Sequence, residues 1–207
     1  MTTRAPIFDQ ILADYRQKVK DLGEDAGRCE TLGVTQTQTG FTVPLFNQSI
    51  TITPDRIVDE NGVPPSHSAS VLVCQYLLLC PDYPQTDRTL VTYKDFKDAA
   101  PYVIGFKNTA EHAIAKTFSG RLDALEMACQ ALDGQPFDTD VACQTAFQFQ
   151  ALPRVPIFLL FNDADDDFPA QCTLLFWKNA AGYLDMECLA MIGGMLAHRL
   201  QESYKLR

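Results

Sequence analysis

The chain has 207 residues, 46% of them hydrophobic and 21% charged, and a net charge of −9 from 17 Lys plus Arg against 26 Asp plus Glu. A chain of this size forms a core without disulfide or metal staples, burying roughly 70% of its unfolded surface. The negative balance repels phosphate backbones and anionic lipid. The bases are diluted as well, Lys94 and Lys97 by Asp95 and Asp98, and Arg199, Lys205 and Arg207 by Glu202, so neither nucleic acid nor membrane is expected as a partner.

Pro6 to Leu22 sets Ile11, Leu12, Tyr15 and Val19 on one stripe with Ile7 and Phe8, and Gly23 follows as a cap, which predicts an amphipathic first helix. The opening Met1-Thr2-Thr3-Arg4-Ala5-Pro6 has no apolar signal core, and the longest apolar run, Val71 to Cys80, is interrupted by Gln75 and Tyr76. A cytoplasmic location is therefore expected. Glu24 to Leu32 reads as a shorter helix before Gly33. Thr35 to Gly40 alternates, and Phe41–Phe46 and Ser49–Thr53 flank Asn47-Gln48, the pattern of a hairpin or meander, to which Arg56–Val58 adds a strand.

Ser66 or Ser68 caps a helix through Val71 to Cys80 that is apolar nearly all round and belongs inside the domain. Thr89–Tyr93 reads as a short strand and Asp95–Ala100 as one helical turn before Pro101. Asn108 with Glu111 three residues on resembles a capping box opening a helix through Ile114 and Phe118. Arg121–Leu132 forms the next helix, closed by Gly134, and both are expected on the surface.

From Ala142 to Gln150 an aromatic returns to one face every second residue, giving a strand with one wet side. Val155 to Phe161 and Cys172 to Trp177 are apolar core strands, joined by a loop that carries Asp163, Asp165, Asp166 and Asp167 and closes on Phe168-Pro169. The last helix starts after Gly182, with Asp185 as cap and Leu184 stapled on Leu189. Its Gly193-Gly194 pair implies close approach of another backbone, since glycine inside a helix costs about 1 kcal/mol relative to alanine. Strands joined by turns, with helices clustered instead of alternating, make this one α+β domain with antiparallel sheet and a long C-terminal helix.

The aspartate loop is the candidate site. Asp163, Asp165 and Asp167 have the one-three-five spacing that offers oxygen ligands to Mg²⁺ or Ca²⁺, and Asp166 adds charge. Phe168 stands where a calcium loop needs its turn glycine, however, and Leu174 where it needs a bidentate Glu. A solvated hairpin tip that keeps a sheet edge from mispairing, and an acidic docking surface, are the other readings. No further cofactor is expected. The seven cysteines contain no Cys-x-x-Cys pair, and Cys74 and Cys80 are separated by about 600° of helical rotation, so they read as reduced, packed thiols. His67, His112 and His198 lie in no nucleophile motif, His198 and Glu202 reading as an exposed pair. Glycine-rich phosphate loops and G-x-S-x-G elbows are missing, and no catalytic residue is assigned.

Arg154-Val155-Pro156-Ile157, then Asp165-Asp166-Asp167-Phe168-Pro169-Ala170, Leu174-Leu175-Phe176 and Tyr183-Leu184, together with Tyr76-Leu77-Leu78 and Val91-Thr92-Tyr93-Lys94-Asp95-Phe96, resemble the DUF3786 family, domains of unknown function found mostly in anaerobic bacteria. Some members carry an N-terminal iron–sulphur domain, so the resemblance implies a role beside iron–sulphur or corrinoid proteins. This chain has no cysteine-rich cluster segment of its own. The reading carried forward is an accessory domain that meets a protein partner through the acidic loop and the aromatic surface beside it. Its alternative is a divalent-cation-dependent enzyme or small-ligand-binding protein that uses Asp163 to Asp167.

Overall fold

The computed structural model describes residues 6–205. The readings of Met1–Ala5 and of Arg207 lie outside the described residues, as does the Phe8 side chain. Helix α1 (Pro6–Asp21) ends at Gly23, whose φ of 63° is the left-handed value expected of a cap. Helix α2 (Ala26–Leu32) is capped by Asp25, which accepts from Arg28 N, and closed by Gly33 at φ 70°. Strands β1 (Thr35–Thr37), β2 (Gly40–Leu45), β3 (Gln48–Ile52) and β4 (Ile57–Val58) then form an antiparallel meander in chain order. Its inward residues Phe41, Val43, Leu45, Ile50 and Ile52 alternate as a half-buried sheet requires.

Helix α3 (His67–Leu78) starts at Ser66, whose hydroxyl accepts from Ala69 N, and packs on α1. Leu72, Val73, Cys74, Tyr76 and Leu77 are all fully buried, so the helix that reads as apolar all round is interior. A second antiparallel sheet has the order β5 (Leu90–Thr92), β9 (Gln171–Trp177), β8 (Val155–Asn162), β7 (Thr145–Leu152) and β6 (Gln135–Pro136). The apolar run of β8 makes it the central strand. Ile157, Leu159 and Phe161 enter the main core, while Phe158 and Leu160 join Leu175 in a smaller cluster on the opposite face. Helix α7 (Met186–Lys205) begins as expected, with Asp185 accepting from Cys188 N.

Three local expectations need correction. The helical turn is not at Asp95–Ala100 but at Tyr93–Asp95, because Asp95 folds back to accept from both the N–H and the hydroxyl of Thr92. Asn108 caps nothing: helix α4 (Val103–Phe106) continues through a π turn at Lys107–Glu111 into α5 (His112–Phe118). Asn108 is inside that run, facing His112 Nδ1, and Glu111 turns inward instead of back to its backbone. Finally, α5 and α6 (Leu122–Ala131) are only half surface, since Ile114, Phe118, Leu125 and Cys129 have no exposure at all.

Candidate functional site

Strand β9 is longer than its neighbour β5. Pairing with β5 runs from Leu90↔Trp177 to Thr92↔Leu175 and stops where the chain turns away at Tyr93, whereas β8 stays paired as far as Asn162↔Gln171. Residues 171–174 of β9 therefore have a strand on one side only. The direction of their backbone groups follows from hydrogen-bond alternation in an antiparallel pair. Gln144 N donates to Phe161 O on the far side of β8, so the Phe161↔Cys172 pair exchanges no bonds, and Cys172 N–H and C=O point out of the sheet. Leu174 N points the same way and donates to Glu111 Oε1 at 3.0 Å.

The α4–π–α5 run forms the other wall. It is tied to the β8–β9 hairpin at two places: the Glu111–Leu174 bond at one end, and Gly120 N donating to Asp163 Oδ1 at 2.6 Å just past α5. Between helix and strand edge lies an open cavity of about 650 Å³, lined by Lys107, His112, Ala115 and Lys116 on the helix side and by Gln171 and Cys172 on the strand side. A smaller one of about 200 Å³ shares Lys107, Glu111 and Thr173 with it and adds Tyr93 and Lys94. π turns concentrate at functional sites because the extra residue redirects a side chain. Here that side chain is Glu111.

Glu111 is only 8% exposed, and burial raises its pKa above the ordinary carboxylate value. The Leu174 N–H, then Lys107, His112 and Lys94, pull it partly back. Cys172 beside it is pushed well above the usual thiol range by burial and by the Glu111 charge, so it is a weak nucleophile. Tyr93 is likewise raised, to about 12, and its hydroxyl donates to Met186 O. Lys107 and Lys116 are exposed and form no ion pair among the described residues. The linear sequence hides this basic wall, because the spacing that aligns it depends on the π turn.

The aspartates read from the sequence lie in the β8–β9 loop, at the Ser119 end of the groove. Asp163 Oδ1 accepts from Ala164 N as well as Gly120 N, and Asp165 Oδ1 accepts from the N–H groups of Asp167 and Phe168. The Asp166 and Asp167 side chains are exposed. Among the described residues, no three or more His, Cys, Asp or Glu come together where they could hold a metal ion. All seven cysteines are free, with Cys74, Cys129, Cys172 and Cys188 buried. His198 is exposed, and Glu202 accepts instead from Lys205 at 2.8 Å. Among the described residues no helix is long and apolar enough to cross a membrane.

Glu111 escapes the sequence reading because its spacing to Asn108 mimics a cap. A second signal was present: it stands three, four and seven residues before Ile114, Ala115 and Phe118, an acid on an apolar stripe. No curated protein and no solved structure matches the chain. The profile of the domain of unknown function DUF3786 matches residues 26–199, which takes in both sheets and nearly all of the groove's framework, and the chain belongs to that family.

Proposed function

We propose that this domain is a cytoplasmic protein-interaction module that takes up an extended segment of a partner along the open half of β9, in line with β5. The observation that carries the reading is the end of β5 at Thr92, which leaves the Cys172 N–H and C=O facing a cavity of about 650 Å³. An added strand would satisfy those groups, and such addition supplies affinity through main-chain bonds and selectivity through alternate side chains. The family resemblance names iron–sulphur and corrinoid proteins as the first partners to test.

A photo-crosslinking residue at position 116, compared with one at position 60 in the turn after β4, tests this in host cells. One recurring extended segment captured from position 116 alone is expected. Identical capture from both positions rejects the reading.

A divalent cation on Asp163 to Asp167 is the second reading. The exposed carboxylates of Asp166 and Asp167 beside Asp165 favour it. A cation bound only by the folded state must raise its melting temperature, so an unchanged Tm at millimolar Mg²⁺ and Ca²⁺ removes it.

A further inference from the structure

We infer that the segment taken up is acidic, with carboxylate side chains at alternate positions laid against the helix wall. This rests on the strand-addition reading above and names the partner's chemistry. The helix and the strand edge run alongside each other between their two ties. From Glu111 to the end of α5 at Phe118 the helical rise is about 10 Å, with the non-helical Ser119 leading on to Gly120, and from Leu174 back to Ala170 an extended strand covers about 14 Å. The Glu111–Leu174 and Asp163–Gly120 bonds hold the two ends together. A segment lying in the groove is therefore read by the helix along its length.

His112 and Lys116 are one helical turn apart, about 6 Å, close to the 7 Å or so between residues i and i+2 of a strand. Lys107 lies one π turn earlier and lines the same cavity. Side chains on one face of an added strand thus fall in step with successive groups on the wall. Lys107 and Lys116 are exposed cations without an ion pair among the described residues, in a chain whose net charge is −9. Such local reversal of sign selects the charge of a partner and speeds its encounter. The one acid within the wall, Glu111, is buried and holds Leu174 N–H. Asp163 to Asp167 lie at the Ser119 end, so the partner's carboxylates face the Lys107 to Lys116 stretch and not the loop.

The test uses fluorescein-labelled seven-residue peptides of alternating valine with glutamate, serine or lysine, titrated into the whole chain and read by anisotropy. The glutamate peptide is expected to bind at least tenfold tighter than the serine peptide, with the lysine peptide weakest. The double substitution Lys107→Glu with Lys116→Glu, at two exposed sites, is expected to reverse that order while the chain stays folded with a cooperative melt. N-methylation of alternate peptide amides is expected to abolish binding in one of the two registers. If all three peptides bind alike and N-methylation still abolishes binding, strand addition stands and the acidic preference falls. If the glutamate preference persists unchanged in the double variant, or if no peptide binds at millimolar concentration, the inference is overturned. Binding that is indifferent to N-methylation in both registers overturns strand addition and the inference with it.

Discussion

A methyl group on Gly193 would overlap Cε2 of Phe106 and lie 3.1 Å from its Cζ, so α7 crosses the α4–π–α5 run with no room for a side chain at that point. Its neighbour Gly194 has only Thr109 Oγ1 nearby, at 3.8 Å, an ordinary contact. The two adjacent glycines should respond oppositely to alanine. Gly193→Ala overpacks the crossing and should cost about 1–3 kcal/mol. Gly194→Ala should be neutral or stabilise by up to about 1 kcal/mol, the helix propensity gain. Urea denaturation of both variants decides, and equal shifts would contradict the crossing geometry.

Glu111→Ala leaves Leu174 N–H without its partner and should lower stability by about 1–3 kcal/mol, whereas Glu111→Gln keeps an acceptor and should cost less. The two also separate by pH. Because the folded protein holds the Glu111 proton more tightly than the unfolded chain does, the unfolded chain releases it first as pH rises, and stability falls. The loss begins at the ordinary value of 4.5 and is complete once pH has passed the raised folded value. Urea midpoints from about pH 4 to about pH 8 should show wild type losing stability relative to Glu111→Gln over that window. Parallel curves would mean that the folded protein holds the Glu111 proton no more tightly than the unfolded chain does.

Within the aspartate loop, the carboxylates that hold backbone N–H groups should matter to stability more than the exposed ones. Asp163→Ala removes the acceptor for both Gly120 N and Ala164 N and should cost about 1–3 kcal/mol, with faster amide exchange at Gly120. Asp166→Ala, at an exposed site, should stay within about 0.5 kcal/mol of wild type. Equal effects would show that the loop is not anchored through Asp163.

Thiol labelling should divide the cysteines. Burial pushes Cys74 up to about 12 and raises Cys129, Cys172 and Cys188 further, so iodoacetamide should reach these four only when the chain unfolds. Cys29, Cys80 and Cys143 are partly exposed and should react first, as peptide mass spectrometry of native and unfolded samples would show. Rapid native labelling of Cys172 would mean that the groove opens to its thiol.

Much of this architecture is legible in the chain because the signals are local. The Asp185 cap, the left-handed Gly23 and Gly33, and the apolar runs of α3 and β8 each follow from a few neighbouring residues. The division of the strands into two sheets is not local, since it depends on which edges meet across long loops. The short β6 is hidden by Pro136, a residue that argues against strand. The aspartate loop is where the sequence puts it, between β8 and β9. The groove is invisible there, because its walls, residues 107–119 and 169–173, are some fifty residues apart and a π turn shifts the helical register within the first.

One hydroxyl links the early and late parts of the chain. Tyr76 Oη donates to Leu32 O and accepts from Arg154 N, while Arg154 reaches Thr31 O and Glu30 O, and Phe46 N donates across to Ala151 O. The meander and the five-stranded sheet are thereby fastened through a shared seam with the Tyr76–Leu32 bond buried at its centre. Dividing the gene within residues 59–66 would strand half of that seam in each fragment, so heating should melt the intact polypeptide in one cooperative step and neither piece should fold by itself.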